Sequence, residues 1–350
     1  MSPSADIIKI PKHYKRDYAV DNLKGFLIIL VILGHGNLLP SFKTTLADFL
    51  QGYIYLFHMP LFFGISTLFI KEFSWTYFKA RFIQLMIPFF FFIVIDPINV
   101  FFQVIHPGYS TLPLFFDFHL KEVIKRVFIG SGVYIQSPLW FLPALFLANM
   151  FVSLFIKYRH KPLCIGAFCL AFCGVLLYVH LIREYNFMVP YGVFIVIYVS
   201  PILVLLRYLY MNKNRLLTYN PFLFVMGICF SSVLIIYLIP KTPPMALTGR
   251  FDLAQFRVPG NILGYLLICA LSAFIFLLFL NFNKRSVFSK IGYYTLPIFL
   301  LHFYPWFTWL HFSPALYLPV NVIGNILIAI GISKLLMKIS PKFSWIGMIV

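Results

Sequence analysis

The stretch YAVDNLKGFLIILVILGHG, residues 18–36, decides how the rest of the chain is read. It holds an unbroken apolar run from Phe26 to Gly34, with Asp21 and Lys24 before it and His35 after it. A helix needs about 20 such residues to cross the hydrocarbon of a bilayer, and residues 19–39 supply that length. Ionisable groups inside a span are costly and usually mark function. Lys24 and His35 are eleven residues apart, a rise of about 16 Å along a helix. At about 100° per residue that separation returns to nearly the same face. Lys24 is therefore expected directly beneath His35, with Asp21 on the same stripe. A cleaved signal peptide is not expected, because the basic flank is too long and no small-x-small site follows before Phe42.

Working outward, the whole chain shares this character. Of its 350 residues 61% are hydrophobic and 11% charged, and the mean hydropathy is +0.90. Soluble domains carry about 25% charged residues, so the composition is that of an integral membrane protein. It excludes a soluble enzyme held by a lipid anchor. It also excludes a porin-type barrel, whose strands alternate in short segments. Ten stretches are long enough to span: 19–39, 49–70, 82–105, 139–157, 163–182, 188–210, 221–239, 259–280, 291–311 and 320–339. The expected fold is all-α, a polytopic transmembrane helix bundle of about ten spans.

The net charge of +18 would suggest nucleic acid in a soluble protein, but its placement here sets orientation instead. With the N-terminus in the cytoplasm, twenty of the 28 Lys and Arg fall on the inner side and eight on the outer. The positive-inside rule then places both termini in the cytoplasm. Three regions are expected: a basic cytoplasmic segment 1–18, a membrane-embedded domain 19–340 and a cytoplasmic tail 341–350. No internal repeat or appended soluble domain is visible. Two outer loops, 106–138 and 240–258, are long enough to serve function or to lie as amphipathic interfacial segments. The five cysteines sit in or beside apolar runs, so neither a disulfide framework nor a metal site is expected.

Few ionisable groups fall within spans: Lys24, His35, His58, Asp96 and His302, with His180 and Arg207 near span ends. His58 lies about nine residues in from the outer end of its span, and His302 about eleven into its own. Both depths are roughly 14–16 Å, so three imidazoles are expected at similar depth. An imidazole there can act as general base toward a hydroxyl, and cations at the inner mouth can hold phosphates. His58 and His302 equally suit hydrogen bonds that only shape a site, and Asp96 suits a helix cap before Pro97. Pro60, Pro88, Pro97, Pro143, Pro201, Pro297 and Pro305 lie within spans and either open a cavity or kink helices. Trp140 reads as a residue of the interface belt.

These residues resemble a known family. The stretch 18–36 is similar to the first helix of the acyltransferase-3 family of integral membrane acyltransferases, and FHMPLFFGIS (57–66) to its second-helix motif. KARFIQLMIPFF (79–90) resembles the basic stretch entering its third helix. SPLWFLPALF (137–146) and IGYYTLPIFLLHFYPW (291–306) resemble its Trp-Phe-Leu helix start and its late Leu-His segment. The nearest branch holds fucose 4-O-acetylase-like proteins and acetyltransferases of surface polysaccharides.

The resemblance implies transfer of an acyl group, usually acetyl from cytoplasmic acetyl-CoA, to a carbohydrate hydroxyl at or beyond the outer face. The expected partners are thus the lipid bilayer, an acyl-CoA and a carbohydrate acceptor such as a surface polysaccharide or its lipid-linked precursor. A bacterial inner membrane is implied as the location. His35 matches the family's essential histidine. Lys24 stands where arginine is usual, Arg81 matches the first arginine of the basic stretch, and Gln84 replaces the second. His35, His58 and His302 are therefore the candidate catalytic residues, and Lys24, Lys79 and Arg81 the candidates for holding the donor. Read from broken helices and mid-plane polar groups alone, the alternative is a transporter or glycan-export component without acyl transfer.

Overall fold

The computed structural model describes residues 16–34, 45–92, 138–181, 192–238, 262–302 and 314–339. Among the described residues the protein is helical and contains no strand. In chain order the helices are α1 (Tyr18–Gly34), α2 (Thr45–Thr67) and α3 (Trp75–Arg81), which continues through a π turn at Phe82–Met86 to residue 92. A 3₁₀ turn at Pro138–Trp140 leads into α4 (Phe141–Tyr158), followed by α5 (Pro162–Leu181), α6 (Val193–Met211) and the short α7 (Lys213–Leu216). Then come α8 (Pro221–Leu238), α9 (Ile262–Leu280), α10 (Val287–Tyr293), α11 (Thr295–Leu301) and α12 (Pro314–Ile339).

Helix stands in the described part of every stretch expected to span. Among the described residues five helical segments are long and apolar enough to cross a membrane: α4, α6, α8, α9 and Leu316–Leu335 of α12. The architecture is that of a helical membrane protein. Helix α8 shows why, since it packs chiefly on α9 and leaves Phe222, Leu223, Met226, Phe230 and Val233 on an open apolar face. Such a face on a span-length helix suits lipid. Of the cysteines, Cys164, Cys169, Cys173 and Cys229 are exposed on apolar helices and Cys269 is buried.

The central element is α1, which packs against α2, α9, α10, α11 and α12. In lipid there is little hydrophobic drive between helices, so close backbone packing and polar bonds must hold them together. Both are present where α1 meets α10. A Cβ on Gly25 would stand 1.9 Å from the Phe288 carbonyl oxygen, and one on Gly292 would stand 2.0 Å from the Asp21 carbonyl oxygen. The two backbones touch there, and glycine alone fits on either side. Beside this seam, Asn22 Nδ2 donates to the carbonyls of Phe282 (2.6 Å) and Lys284 (2.9 Å). Its Oδ1 accepts from the Ser286 hydroxyl at 2.6 Å. Ser286 also begins α10 as half of a capping box with Ser289.

The entry to α1 is fixed by two ion pairs. Arg16 pairs with Asp21, donates to the Ser289 carbonyl at 3.0 Å and lies 4.9 Å from the Tyr293 ring centroid. Asp17 caps α1 by accepting from the Ala19 and Val20 amides, and its other oxygen accepts from Lys213 Nζ (2.7 Å) and the Tyr210 hydroxyl (2.8 Å). The opposite corner of α2 is closed by Arg207, whose Nη1 donates to the Thr67 and Leu68 carbonyls at 3.1 and 2.8 Å. This arginine does not simply reach for the interface as its place near a span end suggests. It satisfies the last carbonyls of α2, where a cation is also favoured by the helix dipole.

Trp140 differs from its expected place in the interface belt. It is buried against Phe63 and Phe141, with ring centroids 6.4 and 6.1 Å away. The 3₁₀ turn preceding α4 carries the indole inward.

Two predictions follow from this packing. Gly25→Ala and Gly292→Ala each force the α1–α10 seam apart and are expected to cost about 1–3 kcal/mol. Thermal unfolding in detergent checks this, with Gly174→Ala as control because nothing lies within 4 Å of its added Cβ. The second concerns Asp17. Burial alone would raise its carboxyl, but the bonds from Lys213 and Tyr210 outweigh that and hold it below its ordinary value of 3.8. A depressed acid contributes stability above its ordinary value and loses it as pH falls through the depressed one. The stability gap between the wild type and Asp17→Asn should therefore be full at neutral pH and close only below pH 3.8, as measured by melting across pH.

Candidate functional site

Beside the α1–α10 seam lies a cavity of about 80 Å³, walled by α1, α2, α3 with its π turn, α4 and α11. Its polar lining is Lys24, Ser66, Arg81, Gln84, Asn149 and Thr295. The rest is apolar, including Phe62, Phe141 and Phe299, whose rings interlock: Phe141 lies 6.2 Å from Phe62 and 5.0 Å from Phe299. Among the described residues two cations line the cavity and no carboxylate does. Asp21, three residues before Lys24 on α1 and paired with Arg16, acts on Lys24 electrostatically without a hydrogen bond to it.

Lys24 is buried, at 7% exposure. Among the described residues no group accepts a hydrogen bond from its Nζ. A buried cation left in that state is expensive unless an anion completes it. Arg81 is half-buried at the end of α3. Its Nη1 donates to Gln84 Oε1 at 2.6 Å, and its guanidinium carbon stands 5.4 Å from the Tyr77 ring centroid. The π turn at Phe82–Met86 follows at once and turns both Gln84 and Leu85 to the cavity. Single π turns recur at functional sites. Thr295 enters the wall where α10 breaks into α11, its hydroxyl donating to the Gly292 carbonyl at 2.6 Å.

The histidines lie one helical turn beyond the cavity. His58 is four residues before cavity-lining Phe62 on α2, and His302 is three residues after cavity-lining Phe299 on α11, with ring centroids 5.7 Å apart for the latter pair. Both rings are buried, at 1% and 6% exposure. The Nδ1 of His58 bonds the Ile54 carbonyl at 2.7 Å, and that of His302 bonds the Phe299 carbonyl at 2.7 Å. A carbonyl only accepts, so Nδ1 carries the proton in each ring. In the uncharged ring Nε2 is then the basic atom. At the same end, the Gly34 carbonyl closing α1 accepts from Gln51 Nε2 (2.9 Å) and the Tyr55 hydroxyl (3.0 Å) of α2.

Of the six candidate residues, the structure brings Lys24 and Arg81 together at the cavity and places His58 and His302 on the side of it away from Arg16. Lys79 is exposed on α3 and does not line the cavity. His35 and Asp96 lie outside the described residues, as do the side chain of His180 and most of the loops 106–138 and 240–258. The sequence reading missed Asn149, Ser66 and Thr295. Asn149 carried a usable signal, because an amide in the middle of a span is nearly as conspicuous as a charge. Ser66 and Thr295 carried none, since small hydroxyls bond their own helix backbone without penalty.

Comparison with known proteins fits this geometry. The family model for the acyltransferase domain of the acyltransferase-3 family matches residues 17–336. The chain belongs to that family, and five of its described helices are long and apolar enough to cross a membrane. It is also similar to the nodulation protein NolL of Sinorhizobium fredii (strain NBRC 101917 / NGR234), with 50% identity over 54 residues. That match covers 15% of this chain and 15% of NolL. No solved structure matches the chain.

Proposed function

We propose that the protein moves an acetyl group from cytoplasmic acetyl-CoA to a hydroxyl of a cell-surface carbohydrate or its lipid-linked precursor. The observation that carries this reading is buried Lys24, whose Nζ donates no hydrogen bond among the described residues, beside Arg81 in a cavity lined by no described carboxylate. Phosphate or pyrophosphate oxygens are the natural complement of that pair. The interlocked rings beside them suit the apolar thioester end of the donor and exclude water that would hydrolyse it. The location proposed is a bacterial inner membrane, crossed about ten times, with both termini in the cytoplasm.

The chemistry proposed is direct transfer. The acceptor hydroxyl arrives from the histidine side and loses its proton to the imidazole of His35 as its oxygen attacks the thioester carbonyl. The tetrahedral adduct collapses with breakage of the C–S bond. The leaving thiolate takes the proton back from the imidazolium, giving an ester and free CoA. His58 and His302, with Nδ1 anchored and Nε2 basic, are the other imidazoles able to shuttle or steer that proton. Lys24, eleven residues before His35 in the sequence, anchors the donor phosphates.

His35→Ala is expected to abolish acyl incorporation into the host's surface polysaccharide while leaving expression intact. Mass spectrometry of the polysaccharide reads this as loss of one acyl mass, and unchanged acylation rejects the proposal. Lys24→Met should weaken acetyl-CoA binding by about ten- to a hundredfold, the usual worth of a hydrogen bond from a charged group. Titration calorimetry on the full chain in nanodiscs measures it.

A further inference from the structure

Arg81 is the cavity's second cation, yet it lies only half-buried at the end of a seven-residue helix. An arginine side chain has many rotamers, and one that must meet an anion gains from being held in advance. The cavity wall supplies a chain of contacts that does this. Tyr77, one turn earlier on α3, faces the guanidinium with its ring at 5.4 Å, inside the range of a cation–π contact. The Tyr77 hydroxyl donates to Asn149 Oδ1 at 3.1 Å across to α4. Asn149 is 1% exposed, and its Nδ2 donates to the Leu145 carbonyl at 2.7 Å, which fixes which end of the amide faces Tyr77. On the far side, Gln84 accepts from Arg81 Nη1 at 2.6 Å. A guanidinium has five N–H donors, so the bond to Gln84 and the polar contact with Tyr77 orient the group and still leave donors for a ligand.

From this arrangement we infer that Tyr77 and Asn149 are positioning residues, which act through Arg81 to aim its guanidinium at the phosphates of the acyl donor. The inference rests on the donor reading given above. Neither residue touches the reacting atoms. Asn149 holds the Tyr77 hydroxyl, the held ring fixes one face of the guanidinium, and Gln84 fixes its edge. Gln84 thereby contributes orientation where a second arginine would contribute charge.

The same bond between Tyr77 and Asn149 also ties α3 to α4, so a test must separate aiming from docking. Acetyl-CoA affinity is measured by calorimetry on the full chain in nanodiscs for the wild type, Tyr77→Phe, Asn149→Ala, Arg81→Ala and the Arg81→Ala/Tyr77→Phe double variant. Melting temperature is recorded for each. Tyr77→Phe keeps the ring and removes only the hydroxyl. It should weaken binding about tenfold, the effect of one ordinary hydrogen bond, and Asn149→Ala should match it. Arg81→Ala should weaken binding further. In the Arg81→Ala background, Tyr77→Phe should have no added effect, because nothing remains to aim. If Tyr77→Phe lowers affinity equally with and without Arg81, the residue serves docking alone and the inference is overturned. The same holds if Tyr77→Phe binds as tightly as the wild type while Arg81→Ala is weak. If Arg81→Ala itself binds like the wild type, the donor reading falls along with the inference.

Discussion

Everything in this fold is hung on the contact of two backbones. At Gly25 and Gly292 the helices α1 and α10 approach so closely that neither tolerates a methyl group. Lipid offers as good a surroundings for leucine as a neighbouring helix does, so apolar side chains alone would not select this pairing. The glycine seam, sealed by Asn22 and Ser286, does select it. It also builds the site. Lys24 precedes Gly25, and Thr295 is bonded to the Gly292 carbonyl, so two walls of the cavity are fixed by the same contact.

The electrostatics follow a consistent division. The acids near the start of α1 are both engaged, Asp21 by Arg16 and Asp17 by Lys213. Their carboxylates pair with cations at the end of the bundle and reach Lys24 only through space, not by a hydrogen bond. Lys24 and Arg81 therefore share a space walled largely by apolar side chains. Such an arrangement lowers the stability of the empty protein and raises its affinity for an anion, which is the usual bargain at a binding site.

Much of the fold was legible in the sequence because the bilayer imposes length. Residues 139–157 and 221–239 were read as spans, and the helices Phe141–Tyr158 and Pro221–Leu238 stand there. Lys24 and Arg81 are both expected near the inner ends of the spans 19–39 and 82–105, and both line the cavity. What was hidden depends on crossings between distant elements. Lys79 and Arg81 are equivalent in a string, but only Arg81 turns toward the cavity. The π turn that follows has no sequence signature, yet it decides that Gln84 joins the lining. Arg207 looked like an interface anchor because its partners, the carbonyls of Thr67 and Leu68, lie 140 and 139 residues away. Trp140 was misplaced because the short 3₁₀ turn that carries it inward is invisible to hydropathy.

The bond between Asn22 and Ser286 joins residues 264 apart. A ribosome adds about 5–20 residues per second, so α1 leaves it roughly 10–50 s before its partner exists. During that interval α1 waits in the membrane with Asn22 and Lys24 lacking their final surroundings. This contact thus closes from α10 back onto α1. The newborn chain needs a temporary shelter for those polar groups, whether water at the translocon or a membrane chaperone, until the seam can shut.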